Sequence, residues 1–197
     1  LLIKGWNQSG WMDQPETLGN EVASLIGAKR DCVTVGDTLS LKVYQALASA
    51  IQIAPKDGVI LSDKGNFPSD IYVANSILKQ KNLPPVRLVN TDSLEDEIRK
   101  GDVSILMLTQ VDYRTGYIHD IEKLTNLAKK EGIVTVWDLA HSVGALCLNV
   151  DQHDIDFAVG CTYKFLCGGP GAPAFLYVKP SHIPKIEPEI SGWLGHE

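Results

Sequence analysis

Gly160-Cys161-Thr162-Tyr163-Lys164-Phe165-Leu166-Cys167-Gly168-Gly169-Pro170-Gly171 stands between two apolar runs. Residues 155–159 precede it, interrupted by Asp156, and residues 174–178 follow it. Each run has the length and composition of a buried strand. Lys164 therefore falls where a strand gives way to a glycine-rich turn, and lysine is rarely buried without a partner or a task. The glycines let backbone approach another group closely. Alone, Lys164 reads as a solvated residue at a strand end or as an amine that forms a Schiff base with a carbonyl. Residues upstream decide between the two.

Working back, residues 133–137 form another strand pattern, with Asp138 at its carboxyl end and His141 just after. Before it, residues 120–131 carry a helical apolar period closed by Gly132. Residues 103–108 are a strand, and Thr109-Gln110-Val111-Asp112-Tyr113-Arg114-Thr115-Gly116 is the polar loop at its end. Asp92 and Glu95 have capping-box spacing before a helix over 94–100. Residues 86–89 and 58–62 read as strands, 71–80 as a helix, and Asn66-Phe67-Pro68-Ser69-Asp70 as a loop. Gly36-Asp37-Thr38-Leu39-Ser40 opens a helix that runs to about residue 50, after a short strand over 32–35. Residues 12–27 form the first predicted helix, with Pro15 in its first turn, Gly27 at its end, and Leu18, Val22, Leu25 and Ile26 on one face.

Strands and helices thus alternate along most of the chain, which predicts an α/β fold with a mostly parallel sheet flanked by helices in three layers. Ligands in such sheets sit beyond the carboxyl ends of the strands. Phe67, Asp70, Thr109, Asp138, His141 and Lys164 all fall in that zone. No internal repeat, low-complexity tract or long linker is visible.

Composition narrows the function. Lys and Arg number 18 against 24 Asp and Glu, a formal net charge of −6, and the basic residues form no run or stripe. Nucleic acid is therefore not the expected partner. No apolar segment approaches the roughly 20 residues a membrane-spanning helix needs, and no signal peptide is visible. The four cysteines, Cys32, Cys147, Cys161 and Cys167, make no C-x-x-C pair and have no histidine cluster beside them. They predict free thiols in the cytoplasm rather than a metal site or disulfides.

An aspartate at a buried strand end, then a strand ending in lysine, then a glycine turn, is the order that pyridoxal phosphate requires. The lysine holds the aldehyde as an imine, and the aspartate keeps the pyridine nitrogen protonated, making the ring an electron sink. Aspartate is anionic near neutrality, so it stabilises a pyridinium by charge pairing. The helix start at Leu39 and Ser40 presents free N–H groups to a phosphate, and Phe67 is an aromatic able to cover the ring face. Taken singly, each has a plainer use: Asp138 or Ser40 as a cap, His141 as a loop histidine, Phe67 as core, Trp193 as a docking aromatic. Their joint order favours the cofactor.

These segments resemble kynureninase. The resemblance is carried by residues 136–145, 154–164 and 168–175, by Asn66-Phe67-Pro68-Ser69-Asp70, by Val111-Asp112-Tyr113-Arg114-Thr115-Gly116, and by Ser191-Gly192-Trp193-Leu194-Gly195-His196-Glu197. It covers nearly the whole chain. It implies the large domain of a pyridoxal-phosphate-dependent, aminotransferase-like enzyme over residues 1–180, with N-terminal sequence missing. Residues 181–197 then begin the connection to a smaller C-terminal domain. It implies that Lys164 bonds the cofactor and moves protons, that Asp138, helped by Asp70, binds the ring nitrogen, and that Phe67 stacks on the ring. His141 and Thr109 lie near the cofactor, Leu39, Ser40 and Tyr163 meet its phosphate, and Trp193 reaches a phosphate across a homodimer interface. Tyr163 is also the candidate proton donor.

The implied reaction hydrolyses L-kynurenine, or 3-hydroxy-L-kynurenine, to anthranilate, or 3-hydroxyanthranilate, and L-alanine, in tryptophan degradation toward NAD. Asparagine is expected where Cys167 stands, and a small residue where Val143 stands. Two other readings remain at this stage. One is a related enzyme such as a cysteine desulfurase or an aminotransferase. The other is a truncated, non-catalytic fragment that only binds cofactor or dimerises.

Overall fold

The computed structural model describes residues 4–192, so Trp193 lies outside the described residues. A short helix α1 (Gly5–Gln8) precedes α2 (Gln14–Ile26), β1 (Val33–Gly36), α3 (Leu39–Ile53), β2 (Val59–Asp63) and α4 (Pro68–Gln80). There follow β3 (Arg87–Val89), α5 (Leu94–Ile98), β4 (Val103–Thr109), α6 (Ile121–Lys130), β5 (Val134–Asp138), β6 (Phe157–Cys161) and β7 (Ala174–Val178). These strands form one sheet in the order β1-β7-β6-β5-β4-β2-β3. Pairing is parallel from β6 through β5, β4 and β2 to β3. β7 runs antiparallel to both of its neighbours.

The sheet is therefore mixed, and the expected three layers are present. One face packs on α2, α5 and α6 through Val22, Ile26, Leu94, Ile98, Leu124 and Ala128. The other packs on α3 and α4 through Val43, Leu47, Ala50, Ala74 and Ile77. Alternation along the strands feeds both cores: in β7, Phe175 and Tyr177 join the first and Leu176 the second. Strands covered on both faces read as near-continuous apolar runs, as β4 does with every residue buried.

Three local expectations need correction. On α2, Leu18 and Leu25 are exposed, and the packed face is Gly19, Asn20, Val22, Ala23 and Ile26. The cause is Gly19: a Cβ there would lie 2.0 Å from the Val33 carbonyl oxygen, so the helix lies flush on β1 along its glycine. Asn20 joins that face by donating to Asp31 Oδ1 and accepting from Asp31 N. Before α5 no capping box forms. A 3-10 turn over Thr91–Ser93 leads into the helix, and Glu95 instead pairs with Lys123 and Arg99. Finally, α4 begins at Pro68 rather than in a loop, because proline at the first helical position has no N–H to leave unsatisfied. Asp70 therefore sits in a helical first turn.

Candidate active site

Asp138 closes β5 and Cys161 closes β6, so the parallel pairing of these strands brings Asp138 and the Thr162–Lys164 bend to the same edge of the sheet. The bend is anchored at its start. Thr162 donates to the Pro173 carbonyl through both its N–H, at 3.2 Å, and its hydroxyl, at 2.6 Å. Gly168 N–H returns to the Thr162 carbonyl at 2.9 Å, and a Cβ on Gly168 would lie 3.0 Å from that oxygen. From the other side, the Phe165 carbonyl approaches Gly144 so closely that a Cβ would stand 2.7 Å from its oxygen. The glycines thus hold the lysine loop against its neighbours. Cys167, where asparagine is expected, has φ +57°, a left-handed position that asparagine tolerates better than most residues. Val143 is fully buried in the core beneath this turn.

A cleft of about 280 Å³ opens here, lined by Leu39 and Ser40 of α3, by Phe67 and Ser69, and by Asp138, Tyr163 and Lys164. Asp37, Thr38, Gly171 and Ala172 complete its wall. A larger cleft, of about 380 Å³, lies at the opposite ends of β2 and β4, around Val59 and Ser104. The buried carboxyls, the lysine and the helix start all belong to the smaller one, so the chemistry points there. The structure therefore brings Leu39, Ser40, Phe67, Asp138, Tyr163 and Lys164 into one cavity wall. Asp70, Thr109 and His141 stand behind it, each touching a residue that lines it.

Lys164 Nζ lies 5.6 Å from the centroid of the Phe67 ring and 5.6 Å from that of Tyr163, within cation–π reach of both. Phe67 also meets Tyr113 edge-on at 5.0 Å and His141 at 6.3 Å, and Tyr113 stacks on His141 at 6.3 Å. Tyr113 belongs to the loop motif over residues 111–116, and its place in this aromatic cluster is not expected from the sequence. Its signal in the sequence is an aromatic side chain in a mostly polar loop. Burial lowers the His141 imidazole below its ordinary value, and the nearby Lys164 charge adds to this, so the ring is neutral at pH 7. Among the described residues its buried Nδ1 has no hydrogen-bond partner.

Asp138 and Asp70 form a buried carboxyl pair, 4% and 2% exposed. Burial is the main cause raising both, and Asp70 is pushed up to about 8 by burial and then by Asp138. Two adjacent buried carboxyls do not both ionise readily. Burial thus favours a proton shared between Asp70 and Asp138 over two separate carboxylates. The Ala140 N–H, 2.7 Å from Asp138 Oδ1, and the charge of Lys164 oppose part of the rise that burial imposes on Asp138.

Thr109 pairs with Asp138 across β4 and β5, and its hydroxyl donates to Asn66 Oδ1 at 2.6 Å. Asn66 is a hub that the sequence pattern does not mark. Its Oδ1 also accepts from Phe67 N at 2.7 Å, and its Nδ2 donates to Ser62 Oγ and the Met107 carbonyl. Those bonds fix Phe67 at the start of α4. Behind them, buried Asp63 accepts from His119 and Thr91, tying down the loop that carries Tyr113. Across the cleft, α3 is capped by Thr38, which accepts from Leu41 N, and the N–H groups of its first turn lack intrahelical partners. A helix start of this kind suits an anion. No group of three or more metal-ligating side chains occurs among the described residues.

Residues 9–193 match the aminotransferase class-V family. The chain is 40% identical over 201 aligned positions to kynureninase of Pseudomonas fluorescens and 44% over 200 to kynureninase of Deinococcus radiodurans. Each alignment covers 99% of this chain and 48% of the relative, so the chain spans about half the length of the curated relatives it matches. Among solved structures, it resembles the complex between the cystine C-S lyase C-DES and its product cysteine persulfide. There the TM-score is 0.79 at 17% identity, covering 95% of this chain and 51% of that one. The apo cysteine desulfurase of Thermococcus onnurineus NA1 gives 0.76 at 22% identity, covering 97% and 49%. At those identities the structural likeness concerns the fold alone.

Proposed function

Since the chain belongs to the aminotransferase class-V family, we propose that the full-length protein is a pyridoxal-phosphate-dependent kynureninase. It hydrolyses the bond between the β and γ carbons of L-kynurenine, or its 3-hydroxy form, giving anthranilate, or 3-hydroxyanthranilate, and L-alanine. The observation that carries this reading is the 40–44% identity to kynureninases across 99% of the chain. The desulfurase and aminotransferase alternatives rest on likenesses of 22% identity or less.

The residues present fit the cofactor. A buried carboxylate stands in the same cleft as a lysine, an aromatic ring and a helix start, and the buried His141 Nδ1 is left for a partner. When bound, pyridoxal phosphate supplies an aldehyde carbon conjugated to an electron-withdrawing ring. Asp138 orients that ring and holds a proton at its nitrogen, while Asp70 keeps Asp138 placed through their shared proton. Phe67 covers the ring face, and the first-turn N–H groups at Leu39 and Ser40, with Tyr163, take the phosphate. Lys164 Nζ moves protons at the substrate's α-carbon. The Tyr163 phenol, pushed up to about 12 by burial and by contact with Cys161, retains its proton at neutral pH for donation to the departing carbon.

The same reading makes residues 1–180 the cofactor-binding domain and 181–197 the start of the link to a smaller one. It also makes the enzyme a homodimer completed at Trp193, acting in the cytoplasm in tryptophan degradation toward NAD. Four free cysteines support that compartment. No described helix is long and apolar enough to cross a membrane.

The test is release of alanine and fluorescent anthranilate from L-kynurenine by the full-length protein with pyridoxal phosphate. Borohydride reduction and peptide mapping should place the adduct on Lys164. Alanine release from cysteine with none from kynurenine would favour a desulfurase, and an adduct on another lysine would overturn the site.

A further inference from the structure

Lys42 is a lysine 4% exposed in the first turns of a 15-residue helix. A buried ammonium is disfavoured by lost hydration. In the first turns of α3 it also sits near the positive end of the helix, which disfavours it again. Its Nζ reaches back to Asp37 Oδ2 at 3.3 Å, and that carboxylate is half-exposed. Asp37 lines the same cleft as Leu39 and Ser40. It is held there rigidly: its backbone is left-handed, with φ +56°, and its carbonyl accepts from Ala174 N at 3.0 Å. A carboxylate fixed in the wall beside the helix start would repel an incoming phosphate. The helix end and Lys42 together outweigh it.

We propose that Lys42 is the buried counter-charge of the phosphate end of the cleft, a positioning residue that acts through Asp37. This rests on the cofactor reading given above. Lys42 neutralises Asp37 so that the first-turn N–H groups of α3 can receive a dianion. It makes no direct contribution to chemistry at Lys164. A ligand without phosphate gains nothing from it.

That last property sets the experiment. The full-length protein and its Lys42→Met variant are titrated with pyridoxal phosphate and with unphosphorylated pyridoxal, following absorbance. Lys42→Met should weaken pyridoxal phosphate by about fivefold or more, the size of a partly buried charge near a helix end. Pyridoxal should change by less than about twofold, as expected where no charge is engaged. Equal weakening of both ligands, or no change in their ratio, overturns the inference. Asp37→Asn serves if Lys42→Met does not fold: it should raise the preference for the phosphorylated ligand, and a lowered or unchanged preference counts against the proposal. The two readings separate cleanly. A wild-type protein that binds neither ligand overturns both, whereas intact binding with an unaltered ratio overturns the role of Lys42 alone.

Discussion

Asn66 offers the sharpest measure of how the site is built. Its amide makes four hydrogen bonds: from Phe67 N at 2.7 Å and Thr109 Oγ1 at 2.6 Å, and to Ser62 Oγ at 2.8 Å and the Met107 carbonyl at 3.3 Å. Asn66 itself is 6% exposed, so water does not replace those bonds when the side chain is removed. With a net worth of about 1 kcal/mol per bond, Asn66→Ala should cost roughly 3–4 kcal/mol. Thr109→Val removes the hydroxyl that donates to Asn66 Oδ1 and lies beside Asp138, keeps the shape, and leaves Asn66 Oδ1 with Phe67 N, so it should cost about 1 kcal/mol. For a chain of this size that is a fall in Tm of about 2–4 °C. Urea denaturation of the full-length variants measures both. Phe67 loses its anchor only in Asn66→Ala, so cofactor affinity should drop clearly in that variant and little in Thr109→Val. If Asn66→Ala costs under about 1 kcal/mol, or if Thr109→Val proves the more damaging, the hub is not what places Phe67.

Asp70 gives a pH signature. Its folded value, raised to about 8, exceeds the ordinary carboxylate range, so the folded state binds the extra proton. That contribution is full below about pH 4 and is lost as pH rises through about 8, so the cofactor-free protein should lose stability across that window. Asp70→Asn should flatten the loss; an unchanged pH–Tm slope would show that the pair does not share a proton. Tyr163→Phe should lower kcat far more than it weakens cofactor binding, measured by steady-state kinetics beside cofactor titration. Equal loss of both would make Tyr163 a binding group only. Cys167→Asn should stabilise by about 0.5 kcal/mol, because asparagine accepts the left-handed backbone that Cys167 now occupies; a lowered urea midpoint would argue otherwise.

Much of this protein was legible from local pattern. Apolar runs of strand length, separated by helical periods, point to the α/β class, and the Asp138 strand end follows from where its run stops, whereas β6 closes at Cys161 and leaves Lys164 in the bend beyond it. These features depend on neighbours within a few residues, which is the range over which side-chain period and turn chemistry act. The helix start at Leu39 is marked in the same way, by its polar capping residues, whereas the start of α4 at Pro68 lies inside the stretch that reads as a loop.

Strand order decided the rest. Asn66 and Thr109 are 43 residues apart in sequence and meet only because β2 pairs with β4. Tyr113 reaches Phe67 for the same reason, and Asp70 reaches Asp138 and Tyr113 reaches His141 because β4 in turn pairs with β5. The reversal of β7 and the flush contact at Gly19 that turns Leu18 and Leu25 outward belong to the packed sheet. The periodic pattern can say that a face is buried. Which polar atoms that burial brings within 3 Å of one another is set by the pairing of distant strands, because a hydrogen bond requires contact in space and not proximity along the chain.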